Sequence, residues 1–257
     1  MKLSLLLLGS VLAVSAFARD RVVIIGAHPD DIIPCLGFCH MAKDIFELHV
    51  VDMTHGERGL GPTGYADGST RKIRIKEEES VCATINAKLH WLDEIDGEAH
   101  AGKETCERLS NLLYELKPRA VITMWPLDVN TDHVMAGAAT IRAICHSGLQ
   151  PELWFMHEEY NSKAFPYDVL VDITTVYDQA MASLALYACQ SRDGTTEMRR
   201  SCAASFWGMQ SRHFWGGKAE AYKSFFPLQQ GEKTIFSELP QPQFKYRYIG
   251  IKRDNLR

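Results

Sequence analysis

The chain lacks a dominant charge: 28 Lys and Arg stand against 32 Asp and Glu, a net of −4. That excludes the strongly basic surface from which nucleic-acid binding draws most of its affinity. It lacks any long apolar run after the first eighteen residues, so no later stretch is long enough to span a bilayer. It has no glycine-rich phosphate loop, no internal repeat, no low-complexity tract and no clear linker. It also lacks a second cysteine pair at zinc spacing to complement Cys35 and Cys39, which excludes a cysteine-built zinc module. What remains is one large domain: 257 residues, 46% of them hydrophobic, enough for a full core.

The N-terminus stands apart. Met1-Lys2 supplies a positive charge, Leu3 to Val14 is apolar, and Ala16-Phe17-Ala18 has the small-x-small form of a cleavage site. Residues 1–18 therefore read as a secretory signal, with an uncleaved N-terminal anchor as the alternative. The expectation is an exported protein, secreted or periplasmic, whose folded domain covers residues 19–257 and has no membrane span once the signal is cut. Seven cysteines then meet an oxidising space, and an odd number leaves at least one thiol out of any intrachain pairing. Cys189 and Cys202 are one candidate pair; Cys35 and Cys39, four apart, share a helix face.

Val22-Val23-Ile24-Ile25 is a continuous β-branched run of the kind buried on both faces in a parallel sheet. Further strands are expected at 46–53, 89–92, 119–125, 153–157, 169–173 and 243–252. Helices are expected at 32–42, 71–87, 106–116, 134–145 and 174–190, with 197–226 largely helical. Strands alternating with helices predict an α/β fold, a Rossmann-like, mostly parallel sheet flanked by helices. The aromatic group Phe206, Trp207, Phe214, Trp215, Tyr222, Phe225 and Phe226 reads mainly as core.

The first strand runs straight into Gly26-Ala27-His28-Pro29-Asp30-Asp31. Ligands in open α/β sheets bind beyond the carboxyl ends of the strands, so these side chains are expected at the mouth of a site. Imidazole and carboxylate are what a catalytic zinc uses. His28-Pro29-Asp30-Asp31 also reads as a turn, with Pro fixing φ and Asp capping the next helix. The strand at 119–125 repeats the strand-loop-helix order and delivers Asp132-His133, so two loops from neighbouring strands are expected to meet at one edge of the sheet.

Several separated landmarks together resemble one family, the LmbE-like or PIG-L-like de-N-acetylases. They are Ala27-His28-Pro29-Asp30-Asp31, Thr54-x-Gly56-Glu57-x-Gly59, Arg74-x-x-Glu77, Asp96-Gly97 and Asp132-His133-x-x-x-Gly137. Val171-Asp172-Ile173-Thr174, Gln190 and Ala219-Glu220-Ala221-Tyr222 follow in order. The resemblance implies a Zn2+ enzyme that removes acetyl from an N-acetyl amino sugar or related amide. It implies His28, Asp31 and His133 as metal ligands and Asp30 as the general base acting on metal-bound water. Arg74 and Asp96 fall at positions that hold the sugar. Asp132 is expected to orient His133, as metal-bound imidazoles require, or the neighbouring loop. The partner is then an N-acetylated sugar or glycoconjugate, and no nucleic acid.

Two positions depart from the family pattern. Ile32 stands where Glu is usual, a change of loop packing. Asn130 stands where the family's second motif begins with the catalytic His. Asn donates a hydrogen bond but carries no proton to give, and losing one oxyanion donor costs ~10²–10³ in rate. His55 and His157 are the substitute proton donors the sequence offers. The departure keeps a second reading open, a non-catalytic zinc-containing glycan-binding protein. A third, a magnesium phosphotransfer domain built on Asp30 and Asp31, sits poorly with two imidazoles at the site. Glu57 is expected to support its loop, and Arg74, read without the family, would simply pair with Glu77 or Glu78. His40, His49, His90, His100, His146 and His213 are not expected to be ligands.

Overall fold

The computed structural model describes residues 19–191, 193–211 and 216–239. The expected signal at 1–18 and the expected strand at 243–252 lie outside these residues, as do His213, Phe214 and Trp215. One seven-stranded sheet carries the fold, in the order β3-β2-β1-β4-β5-β7-β6. Strands β1 (Arg21–Gly26), β2 (Glu47–Thr54), β3 (Lys88–Glu94), β4 (Ala120–Met124) and β5 (Glu152–Met156) run parallel. β7 (Ala219–Ser224) is antiparallel to both β5 and β6 (Val169–Asp172). The mostly parallel α/β architecture expected from the sequence is the observed one.

The β-branched run of β1 lies at the centre, with Val22 to Ile25 fully buried. Each such side chain contributes about 1.5–3 kcal/mol of hydrophobic stabilisation. From β1 the chain steps outward to β2 and β3, then returns to the other side for β4 and β5. This reversal is a topological switch point, and it opens a crevice beyond the carboxyl ends of β1 and β4. Two helices feed that crevice. α1 (Leu36–Ala42) follows a 3-10 turn over Ile33–Cys35, and α5 (Thr131–Ser147) starts at the loop leaving β4. A methyl group on Gly137 would stand 2.7 Å from the Met124 carbonyl oxygen, so glycine is what lets α5 pack against the end of β4.

The remaining helices are α2 (Pro62–Ala66), α3 (Ser69–Thr84), α4 (Lys103–Leu116), α6 (Tyr177–Leu184) and α7 (Thr195–Gln210). Three expectations need correction. The stretch 197–226 is not one largely helical segment: α7 ends at Gln210, and Ala219–Ser224 is a strand. Ala, Glu and Lys favour a helix locally, but pairing with both β5 and β6 buries this segment and outweighs propensity. The helix expected over 174–190 is a 3-10 turn at Thr174–Val176 followed by only eight helical residues. Of the aromatic group, Trp207 and Tyr222 are buried, whereas Phe206, Phe225 and Phe226 are exposed. No disulfide joins Cys189 to Cys202.

Candidate metal centre and active-site cleft

Gly26 ends β1 because nothing larger fits: a Cβ there would meet Asp31 Cβ at 2.8 Å. The chain then turns tightly. Asp31 Oδ2 accepts hydrogen bonds from the Ala27 and His28 amides at 2.7 and 2.9 Å, which folds the carboxylate back over the strand end. Its other oxygen lies 3.2 Å from His133 Nε2, on the first turn of α5. His28 Nδ1 is 3.5 Å from Asp31 Oδ2. His28, Asp31 and His133, all buried, thus offer two nitrogens and one oxygen within 4.8 Å of one another. That donor set fits a three-ligand metal site with an open position.

The far nitrogen of each imidazole faces a carboxylate, as metal-bound histidines require. His28 Nε2 is 3.1 Å from Asp132 Oδ2 and 3.3 Å from Asp96 Oδ1. His133 Nδ1 is 3.3 Å from Asp128 Oδ1, out of line for a hydrogen bond. The pairing differs from the sequence expectation: Asp132 serves His28 and the Gly97 amide, and Asp128 stands beside His133. Burial alone would lower both imidazole pKa values. The carboxylates overcome it, raising His28 well above its usual value and His133 to about 10. Burial would likewise raise Asp31, but its attraction and hydrogen bonding to His133 and His28 hold it well below the usual carboxylate range. A divalent cation would take over the role of these protons.

Asp30 points elsewhere. Its backbone has φ +94°, a conformation rare outside glycine that costs about 1–3 kcal/mol. Two contacts hold it there. Its amide donates to Glu78 Oε2 at 3.1 Å, and its carboxylate pairs with Arg74. Glu78 is fully buried and also accepts the Tyr187 hydroxyl at 2.8 Å. Arg74, likewise buried, donates to the Pro29 carbonyl as well. Arg74 therefore clasps Asp30 rather than pairing with Glu77, which instead accepts the Cys189 amide. Burial lifts Asp30 to about 6, with Arg74 opposing, so it is an unligated carboxylate suited to accept a proton near neutrality.

Asn130 has a structural task. It is the N-cap of α5, its side-chain oxygen accepting the Asp132 amide at 2.9 Å. Asn is among the best residues for this position. Its side-chain nitrogen Nδ2 can serve as a donor, and Asn130 lines the cleft.

The cleft is a cavity of about 390 Å³. His28, Asp30, Asp31, Arg74, Asp96, Asn130 and His133 all line it, so the structure brings together every expected site residue except Asp132, which sits behind His28. Asp96 is mostly committed, its second oxygen accepting the Arg58 amide at 2.8 Å. Glu57 accepts the Asp96 amide, the loop-supporting role expected of it. His55 and His157 do not line the cavity. His55 stacks on Trp91 with ring centroids 4.3 Å apart. His157 packs edge-on against Phe165 and Trp207, and burial pushes it down to about 4, so neither is placed to donate a proton. The sequence reading missed the opposite wall: Glu158, Glu159, Tyr160 and Asn161 from the loop after β5, and Arg199 from α7. The one local signal for Asp128 is its place in the loop that delivers His133.

Comparison with known proteins agrees with this fold. The 4-oxalmesaconate hydratase of Pseudomonas putida is 25% identical over 67% of this chain and 74% of its own length. Two solved structures share the fold. The 4-carboxy-2-hydroxymuconate hydratase of Pseudomonas putida superposes with a TM-score of 0.71 at 20% identity, over 84% of this chain and 100% of that one. The N,N'-diacetylchitobiose deacetylase of Pyrococcus horikoshii does so with a TM-score of 0.69 at 20% identity, over 80% and 84%. The family model described as PIG-L: GlcNAc-PI de-N-acetylase matches residues 23–144, the segment holding β1 to α5 and with them all three candidate ligands. Residues 23–144 of this chain are a domain of the PIG-L, GlcNAc-PI de-N-acetylase family.

Proposed function

We propose that this protein is a zinc-dependent amide hydrolase that removes acetyl from an N-acetyl amino sugar or a glycoconjugate carrying one. The observation that carries the reading is the buried His28, Asp31 and His133 set with Asp30 beside it, unligated and held by Arg74. Two imidazoles favour zinc over magnesium. Zinc, when bound there, supplies a polarised amide carbonyl and a water acidified to a pKa of ~7. Asp30 accepts a proton during attack. Asp30 then returns that proton to the departing nitrogen, the part the family's imidazole would take at position 130. Asn130 offers its side-chain N–H to the carbonyl oxygen as charge builds there. Export, read from residues 1–18, puts the substrate outside the cytosol.

The test is acetate release from N-acetylglucosamine derivatives by the zinc-loaded full chain. Activity should disappear on chelation and return with zinc. Undiminished turnover after the metal is removed would sink the reading, and so would tight glycan binding with no turnover, the mark of a non-catalytic binder. The hydratase relative favours a second reading, in which the same site adds water across a conjugated carbon–carbon double bond. Loss of alkene absorbance with no acetate would select it.

Asp128 supplies a further check. Its carboxylate accepts the Asn130 amide at 2.8 Å, which holds the start of α5, and faces His133 Nδ1 at 3.3 Å, where its charge favours the imidazole's present orientation. Asp128→Ala should weaken zinc affinity by about 10- to 100-fold, measured against a chelating dye. Affinity equal to wild type would show that His133 needs no such partner.

A further inference from the structure

We infer that the substrate carries an acidic group, a carboxylate or a phosphate, held at the rim of the cleft by Arg199. This rests on the amide-hydrolase reading and concerns the end of the substrate away from the scissile bond. Among the described residues three arginines line the cleft: Arg58, Arg74 and Arg199. Two are already engaged. Arg74 clasps Asp30 and the Pro29 carbonyl, and Arg58 pairs with Glu98 while lying 5.1 Å from the Tyr65 ring centroid.

Arg199 differs. It is exposed and makes no salt bridge among the described residues; exposed Asp193, which feels its charge, accepts the Thr195 amide at 3.0 Å. The two acids beside it on the cleft wall have other partners. Glu159 pairs with Arg200 at 3.0 Å, and Glu158 accepts the Tyr160 amide at 3.0 Å. The Arg199 guanidinium instead lies over Tyr160, 4.1 Å from the ring centroid. Stacking fixes the plane of the guanidinium and leaves its N–H edge open. A fork held that way matches a planar carboxylate or a phosphate.

Burial sets the direction in which the substrate lies. His28, Asp31 and His133 are buried, while Arg199 and Tyr160 are exposed at the outer wall. The inner end carries Asp30, Asp31 and Asp96 and suits a neutral acetamide better than an acid, whereas at the rim Glu159 is neutralised by Arg200 and Glu158 is engaged by the Tyr160 amide. The acid therefore belongs at the rim and the acetamide inside.

The experiment compares three substrates with the zinc-loaded full chain: N-acetylglucosamine, N-acetylmuramic acid and N-acetylglucosamine 6-phosphate. At least one acidic substrate should have a KM about 10- to 100-fold below the neutral one, and the better of the two identifies the acid. Arg199→Ala should abolish that discrimination ratio and Arg199→Lys should retain part of it. Equal KM values in the wild type, or a ratio untouched by Arg199→Ala, would overturn the inference. Absence of acetate from all three would instead defeat the hydrolase reading. In that event calorimetric titration with glucosamine, muramic acid and glucosamine 6-phosphate still decides: acid-selective binding lost in Arg199→Ala supports the rim site, and binding indifferent to the variant refutes it.

Discussion

Asp30→Asn is expected to lower kcat for acetate release by about 10²- to 10⁴-fold, the usual contribution of a positioned general base. The substitution is chosen to remove proton affinity and little else. Asn tolerates positive φ better than most residues, so the backbone at φ +94° keeps its shape. The Asn oxygen still accepts from Arg74, which also keeps the Pro29 carbonyl. The Asp30 amide still donates to Glu78. Zinc content and melting temperature should therefore match wild type, while kcat falls and KM changes little. A variant that holds zinc and turns over within a few-fold of wild type would remove Asp30 from the chemistry.

The second large effect is on stability. Arg200→Ala is expected to destabilise the fold by about 3–5 kcal/mol, read from a urea or thermal unfolding curve. Arg200 is buried on α7 and pairs with fully buried Glu220 on β7 and with Glu159 on the cleft wall. Glu220 in turn accepts the Gly37 and Phe38 amides at 2.8 Å each and the Tyr222 hydroxyl at 2.8 Å. One guanidinium thus joins α7, β7 and the start of α1. Its removal strands Glu220 as a buried charge with no counterion. Adding Glu220→Gln to Arg200→Ala should recover part of the loss, because the stranded charge goes. A single variant within about 1 kcal/mol of wild type would show that water or a local shift compensates.

Much of the fold was readable from local pattern. The β-branched run of β1 gave a strand buried on both faces, and the two strand-loop-helix units gave loops carrying His28 and His133 that meet at one edge of the sheet. Both inferences depend on short-range regularities: period, turn residues and the rule that parallel strands expose their carboxyl ends together. β7 failed on the same principle. Ala219 to Ser224 has no strand signature of its own, and its conformation is imposed by β5 and β6 on either side.

By itself, then, the sequence determined the residue types of the site and the loops that present them, because His28-Pro29-Asp30-Asp31 and Asp132-His133 sit at the ends of strongly patterned strands. Only the tertiary structure decided who partners whom. Asp132 turned toward His28 and left His133 to Asp128, because α5 begins at Thr131 and its cap fixes which way each side chain faces. Arg74 went to Asp30 instead of its own helix neighbours because the β1 loop folds back over α3. The outer wall, with Arg199 over Tyr160, joins segments about forty residues apart in the chain. Such pairings come from the sheet bringing loop ends together, and no local pattern records them.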